Sequence, residues 1–198
     1  MVRQGLPHKA DLFLVDWESG PVLIKDFQAK SRFRRWLGRL QTNREYRAYK
    51  WLGQVEGVPR LHGRIDAHAL AIEWIEGELL ATASDRVSAG KHYVGELRNI
   101  MARLHAAGLA HLDLRSNKNV LIRTGGEIVV IDFASALWCR PGGLIHRLCF
   151  PFFKARDISG WLKWKETLEA GPLTDDERAR LRRHRFLSSL WIFNRKQR

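Results

Sequence analysis

The stretch that most constrains this chain is a polar loop, His111-Leu-Asp-Leu-Arg-Ser-Asn-Lys118, set between two apolar neighbours. Before it, Tyr93 to Ala107 carries Leu97, Ile100, Met101 and Leu104 on one face at helical spacing and ends near Gly108. After it come two short apolar runs, Val120 to Ile122 and Ile128 to Ile131, parted by Thr124-Gly-Gly126, which reads as a hairpin. The segment therefore puts a carboxylate, Asp113, just beyond a helix and an amide, Asn119, six residues later. A second carboxylate, Asp132, lies thirteen residues further on.

The chain upstream alternates differently. Asp11 to Trp17 and Val22 to Phe27 are β-favouring runs around Glu18-Ser-Gly-Pro21, a second hairpin. From Ser31 to Leu52, Phe33, Trp36, Leu37 and Leu40, then Tyr46, Tyr49 and Leu52, recur at three and four. That predicts helix, in one piece or in two around Gln41-Thr-Asn43 with Thr42 or Asn43 as the second cap. Strands are expected over Arg60 to Ile65 and His68 to Ile75. Beyond Asp132 the pattern is irregular until two helices, Arg156 to Leu168 and Thr174 to Trp191, the second opened by a Thr174-x-x-Glu177 capping box. Strands with a helix, followed by mostly helix, make an α+β fold.

Composition narrows the class. With 198 residues, 45% apolar and 28% charged, the chain can bury its own core without metal or disulfide staples. Its two cysteines, Cys139 and Cys149, have no metal-type spacing and are expected as reduced, buried thiols of a cytoplasmic protein. No signal-peptide core and no run of about 18 apolar residues is present. The formal charge of +13 points to an anionic partner without naming it.

The loop chemistry does name a reaction type. One carboxylate accepts a hydroxyl proton, while an amide oxygen and a second carboxylate are hard ligands suited to magnesium on nucleotide phosphates. The residues resemble the protein-kinase-like superfamily, with its H-R-D-L-x-x-x-N loop and D-F-G motif. His111 and Asp113 match the loop histidine and catalytic aspartate, Arg115 stands where protein kinases often have lysine, and Asp132-Phe133 match D-F, with Ala134 replacing glycine. Asparagine is displaced: the expected position is Lys118, so the metal role falls to Asn119 with a one-residue insertion in the loop, and Asn117 is the alternative.

Carried further, the resemblance implies a two-lobed fold, a small antiparallel-sheet N-lobe over residues 1–77 and a reduced, mainly helical C-lobe over 78–198 with a basic helical C-terminus. Lys25 would grip the phosphates of ATP, paired with Glu45, the only acid between Asp26 and Val55. Glu73 C=O and Ile75 N–H would contact adenine through the main chain. Asp157 would be the buried aspartate that holds the catalytic loop. A glycine-rich loop is not apparent, so the first strand is expected to be trimmed or absent, leaving amides near Gly5 to Lys9 to cover phosphates. With no A-P-E segment, the resemblance is nearest to small bacterial lipopolysaccharide core (Kdo and heptose) kinases and RIO-type kinases.

The resulting expectation is an ATP- and Mg2+-dependent phosphotransferase acting on a hydroxyl, either of a lipid-linked core sugar or of protein Ser/Thr. The alternative is a weak or inactive pseudokinase-like scaffold that binds nucleotide or RNA. Residues 25 to 50 hold nine Lys/Arg against two acids, a charge that suits solvated helix faces, an anionic glycan, a membrane surface or, less well, nucleic acid. Trp161, Trp164 and the run Leu144 to Phe153 read either as core or as interfacial anchors, and the localisation expected is cytoplasmic, with peripheral attachment to the inner face of the membrane in the second case.

Overall fold

Alternating strands up to Glu73 build one antiparallel sheet. The computed structural model of the chain describes residues 2–3, 9–18 and 20–190. Strands β1 (Val2–Arg3), β2 (Asp11–Trp17), β3 (Gly20–Asp26), β4 (Leu61–Arg64) and β5 (Ala69–Glu73) lie in the order β1-β2-β3-β5-β4. Lys25 on β3 is registered with Leu12 on β2 and Leu70 on β5, so it sits in the middle of the sheet. The first strand is present but short, the trimmed alternative of the expectation: Val2 pairs with Phe13 and Arg3 with Leu12. Two residues carry too little periodicity to register as a strand, and only their partner makes them one. The proposed phosphate-covering amides at Gly5 to His8 lie outside the described residues.

Helix α1 (Arg32–Leu52) crosses this sheet as one piece. Of the two alternatives the single piece is found, and neither Thr42 nor Asn43 caps a second helix. Thr42 Oγ1 donates to His68 O (3.3 Å), and Asn43 Oδ1 accepts from Arg64 Nη1 (2.7 Å). What changes near residue 41 is the buried face. Gly38, Thr42, Glu45, Tyr49 and Leu52 point inward, whereas Phe33, Trp36, Leu37 and Leu40 are exposed. Gly38 permits the close approach, since a methyl there would overlap the Phe27 ring.

The second half adds helix α2 (Gly90–Ala106), whose Leu97, Ile100, Met101 and Leu104 are buried as the pattern predicts. Strands β7 (Leu109–Ala110) and β10 (Leu137–Trp138) pair, and β6 (Gly77–Leu79), β8 (Val120–Arg123) and β9 (Ile128–Val130) form a three-stranded sheet. Helix α3 (Leu144–Thr167) starts well before the expected Arg156 and runs through Pro151. Proline removes one i→i−4 bond, but Phe150 beside it is fully buried and packs on His146 and Phe153, which hold that turn. Helix α4 (Asp175–Leu190) opens on the predicted box: Glu177 N donates to Thr174 Oγ1 (3.2 Å) and Thr174 N to Glu177 Oε2 (2.9 Å).

One apolar cluster joins these parts, from Leu70 and Ile72 of the large sheet through Leu97 and Leu104 of α2 to Trp164 of α3. Trp161 and Trp164 belong to it and are buried, so the interfacial-anchor reading of these two is wrong. Each indole N–H finds a backbone carbonyl, Val94 O (2.9 Å) and Leu114 O (2.8 Å). The expectation of buried cysteines also fails: Cys139 is half-buried and Cys149 exposed, both as free thiols. No helix among the described residues is long and apolar enough to cross a membrane.

Candidate functional site

The polar loop leaves β7 and is gripped along its length by one side of α3. Asp157, fully buried, accepts from His111 N (2.9 Å) and His105 Nε2 (3.0 Å) on Oδ2 and from Leu112 N (2.7 Å) on Oδ1. These bonds hold Leu112 at φ 65°, in left-handed backbone space that a leucine rarely adopts. Arg156 Nε donates to Leu112 O (2.6 Å), and Lys163 Nζ donates to Arg115 O (2.6 Å). A methyl at Gly160 would come within 2.9 Å of Leu114 Cβ and 3.1 Å of Arg115 N, so glycine there sets the distance between helix and loop. Positions 156, 157, 160, 163 and 164 recur at helical spacing, which is why one face reaches all of them.

The loop then delivers its polar side chains to a common rim. His111 Nε2 meets Ile131 O at 3.0 Å, and the ring packs on Phe133, whose other side meets Tyr49 of α1. Asn119 is buried and spends its amide nitrogen on Asp113, donating to Asp113 O (3.0 Å) and Oδ2 (2.9 Å). Its backbone oxygen takes Ile131 N (3.0 Å), which brings Asp132 alongside. Asp132 is itself left-handed, φ 68° and ψ 74°, with Ala134 N donating to its Oδ1 (3.4 Å). Asn117, the alternative, points elsewhere: its Oδ1 accepts from Lys163 Nζ (2.7 Å).

From the large sheet, Lys25 Nζ donates to both oxygens of Glu45 (2.8 and 2.7 Å) and lies 3.9 Å from Asp132 Oδ1. The structure thus brings Lys25, Glu45 and Asp132 together, with Asp113 and Asn119 on the adjoining loop. Burial pulls the Lys25 pKa down, but the Glu45 and Asp132 carboxylates outweigh it, and the ammonium is held above its usual range. Burial raises Glu45 above the ordinary carboxylate value, with Lys25 opposing. Neighbouring Tyr49 is buried with its hydroxyl unpaired among the described residues. Burial, with Glu45 and Asp132 close by, pushes its pKa well up.

Arg115 is tied back to α3, its Nη1 donating to Ser159 Oγ (2.9 Å) and Ser159 O (3.3 Å). Glu73 and Ile75 sit where β5 ends. Arg60 N, the natural ladder donor to the Glu73 carbonyl, goes instead to Glu73 Oε2 (3.0 Å), and Arg123 Nη2 takes Oε1 (3.1 Å). The Arg60 N–H is thereby drawn to the Glu73 side chain, while Glu73 N donates to Arg60 O (2.8 Å). The Glu73 side chain, which a main-chain contact leaves unspecified, here clasps the large sheet to β8.

Sequence reasoning missed Lys163, Arg156 and Ser159, which act from a helix far downstream in the chain and carry no local motif. Arg44 was also missed; its Nη2 donates to Ser135 O (3.4 Å) and Ala136 O (3.3 Å) just past Asp132. Burial and nearby Arg115 depress the Lys163 pKa, with Asp113 opposing. Among the described residues no three His, Cys, Asp or Glu side chains cluster as a metal site; the oxygen-bearing side chains on this stretch are an amide, Asn119, and a carboxylate, Asp132. No family model and no curated protein matches this chain.

Proposed function

We propose that this chain is an ATP-dependent phosphotransferase with a protein-kinase-like two-lobed arrangement, transferring the γ-phosphoryl group to a hydroxyl. The observation that carries the reading is the junction of the Lys25–Glu45 ion pair with Asp132 at 3.9 Å, beside an Asn119 amide whose nitrogen is committed to Asp113. With its nitrogen spent, Asn119 offers only an oxygen, which suits it and Asp132 as hard ligands for a magnesium ion carried on the nucleotide phosphates.

In this scheme Lys25, kept protonated and aimed by Glu45, neutralises the phosphates. The Glu73 carbonyl and Ile75 N–H pair with the adenine edge. Asp113 orients the acceptor and takes the hydroxyl proton as the acceptor oxygen bonds to the γ-phosphorus and the bond to the β-phosphate oxygen breaks, releasing ADP. Arg115 and Lys163 place positive charge beside the group in transit. Both acceptor classes, a lipid-linked core sugar and a protein Ser/Thr, present the same hydroxyl.

The test pairs nucleotide binding with turnover. Millimolar Mg-ATP should raise the melting temperature of the wild-type protein, and labelled ATP incubated with core oligosaccharide or with cell lysate should transfer label to one of them. Asp113→Asn keeps an oxygen for the Asn119 amide but cannot take a proton, so the thermal shift should survive while transfer falls by roughly 10²–10⁴-fold. Absence of any shift with Mg-ATP, or transfer unchanged in Asp113→Asn, would overturn the reading.

A further inference from the structure

The first two turns of α1 are inside out. Phe33, Trp36, Leu37 and Leu40 follow the spacing that normally faces a core, yet they are 69%, 56%, 38% and 45% exposed. At about 100° per residue they centre on the side opposite Gly38, Thr42, Glu45 and Tyr49, the residues the helix buries. The face is preformed: Phe33 and Trp36 stack with ring centroids 6.2 Å apart on a helix anchored by its other side. Arg32, Arg34 and Arg39 border it, and no acid occurs between Asp26 and Glu45. Among the described residues none of these three arginines stands within ion-pair distance of a carboxylate.

We propose that this face of α1 docks the protein on a membrane surface rich in anionic phospholipid. An aromatic and leucine stripe bordered by arginines on one helix is the composition that lies in the headgroup layer, with rings and leucines in the acyl boundary and guanidinium groups at the phosphates. Charge complementarity selects this occupant. A second copy of a chain of net charge +13 would set these arginines against one another. Single-stranded nucleic acid would use the arginines and the two aromatic rings but leaves Leu37 and Leu40, which have no stacking face, uncovered. The inference is independent of the proposed reaction, since none of these side chains lies at the Lys25–Asp132 junction.

The experiment is co-sedimentation of the full chain with vesicles of phosphatidylcholine alone and of phosphatidylcholine with phosphatidylserine at about one part in three. The wild-type protein should pellet with the anionic vesicles only, and added salt should weaken it. The variant Phe33→Ser/Trp36→Ser/Leu40→Ser, altered at exposed positions and checked for an unchanged melting temperature, should partition at least about tenfold less. Arg32→Glu/Arg34→Glu/Arg39→Glu should do the same by removing the charge term. No pelleting of the wild type, equal pelleting of either triple variant, or binding that depends on RNA instead of vesicles would overturn the proposal. So would a wild-type dimer that the serine variant converts to monomer without changing vesicle partition.

Discussion

Removing the carboxylate of Asp157 should unfasten the polar loop, and the cost can be worked from its three bonds. Hydrogen bonds to a charged acceptor contribute about 1.5–3 kcal/mol each, so the bonds from His111 N, Leu112 N and His105 Nε2 total roughly 5–9 kcal/mol before the cost of burying the carboxylate. That desolvation offsets several kcal/mol. Asp157→Ala avoids it but strands the His111 N–H in a fully buried position, leaving a net loss of about 3–5 kcal/mol. Asp157→Asn keeps one accepting oxygen and turns an NH2 toward a donor, for a loss of about 1–3 kcal/mol. At about 2–4 °C per kcal/mol for a chain of this size, alanine lowers the melting temperature by roughly 6–20 °C. The assay is denaturant unfolding of both variants with hydrogen exchange read at His111, Leu112 and Asp113. Leu112, released from its left-handed φ of 65°, should then exchange at rates close to those of an unfolded peptide. A loss in Asp157→Ala no larger than the roughly 0.5 kcal/mol of an ordinary surface substitution, or protection at Leu112 unchanged, would refute the reasoning, because the loop would then hold its left-handed turn without the aspartate.

Two further outcomes test other parts of the structure. Of the three tyrosines, Tyr93 donates to Asp85 Oδ2 (2.6 Å), a bond that with burial pushes its pKa up to about 12, and buried Tyr49 is raised well above the usual value. Both folded-state values exceed the unfolded ~10, so their contribution to stability is complete below about pH 10 and is lost as pH rises through that window. An ultraviolet titration should show Tyr93 largely un-ionised at about pH 11 in the folded protein and Tyr49 ionising above the ordinary tyrosine range; ionisation of both at the ordinary value before unfolding would contradict this. Thr174→Ala should cost about 1 kcal/mol in denaturant unfolding, since it removes the acceptor for Glu177 N. An unchanged midpoint would show that the Lys165–Glu177 bond (2.7 Å) secures the start of α4 unaided.

Periodicity makes most of the elements legible, and the misses share a cause. A sequence pattern reports that a residue seeks an apolar neighbour, not which neighbour it finds. In α1 the stripe changes phase near residue 41, which reads as two helices; the backbone continues because one end packs on the sheet while the other faces outward. The start of α3 is hidden because Pro151 cannot continue the bond ladder, yet Phe150 anchors the turn around it. Strand β6 escapes detection, having only three residues, two of them exposed, and no alternation.

The candidate site is legible wherever chemistry leaves a single choice. Glu45 follows from the lack of any other acid near Lys25, and the two do meet. Spacing favours Asn119 only on the assumption of a one-residue insertion, and leaves Asn117 as the alternative. Bonding distinguishes them, because an amide has one oxygen to give. Asn117 turns its oxygen to the Lys163 ammonium, whose positive charge would repel a second cation there. Asn119 spends its nitrogen on Asp113 and keeps the oxygen. Two successive turns carry the chain from Asp113 to Asn119, with Ser116 N donating to Asp113 O (3.2 Å) and Asn119 N to Ser116 O (3.4 Å). The ammonium that fixes Asn117 comes from α3, so the bonding of this amide depends on a side chain 46 residues downstream that no local motif announces.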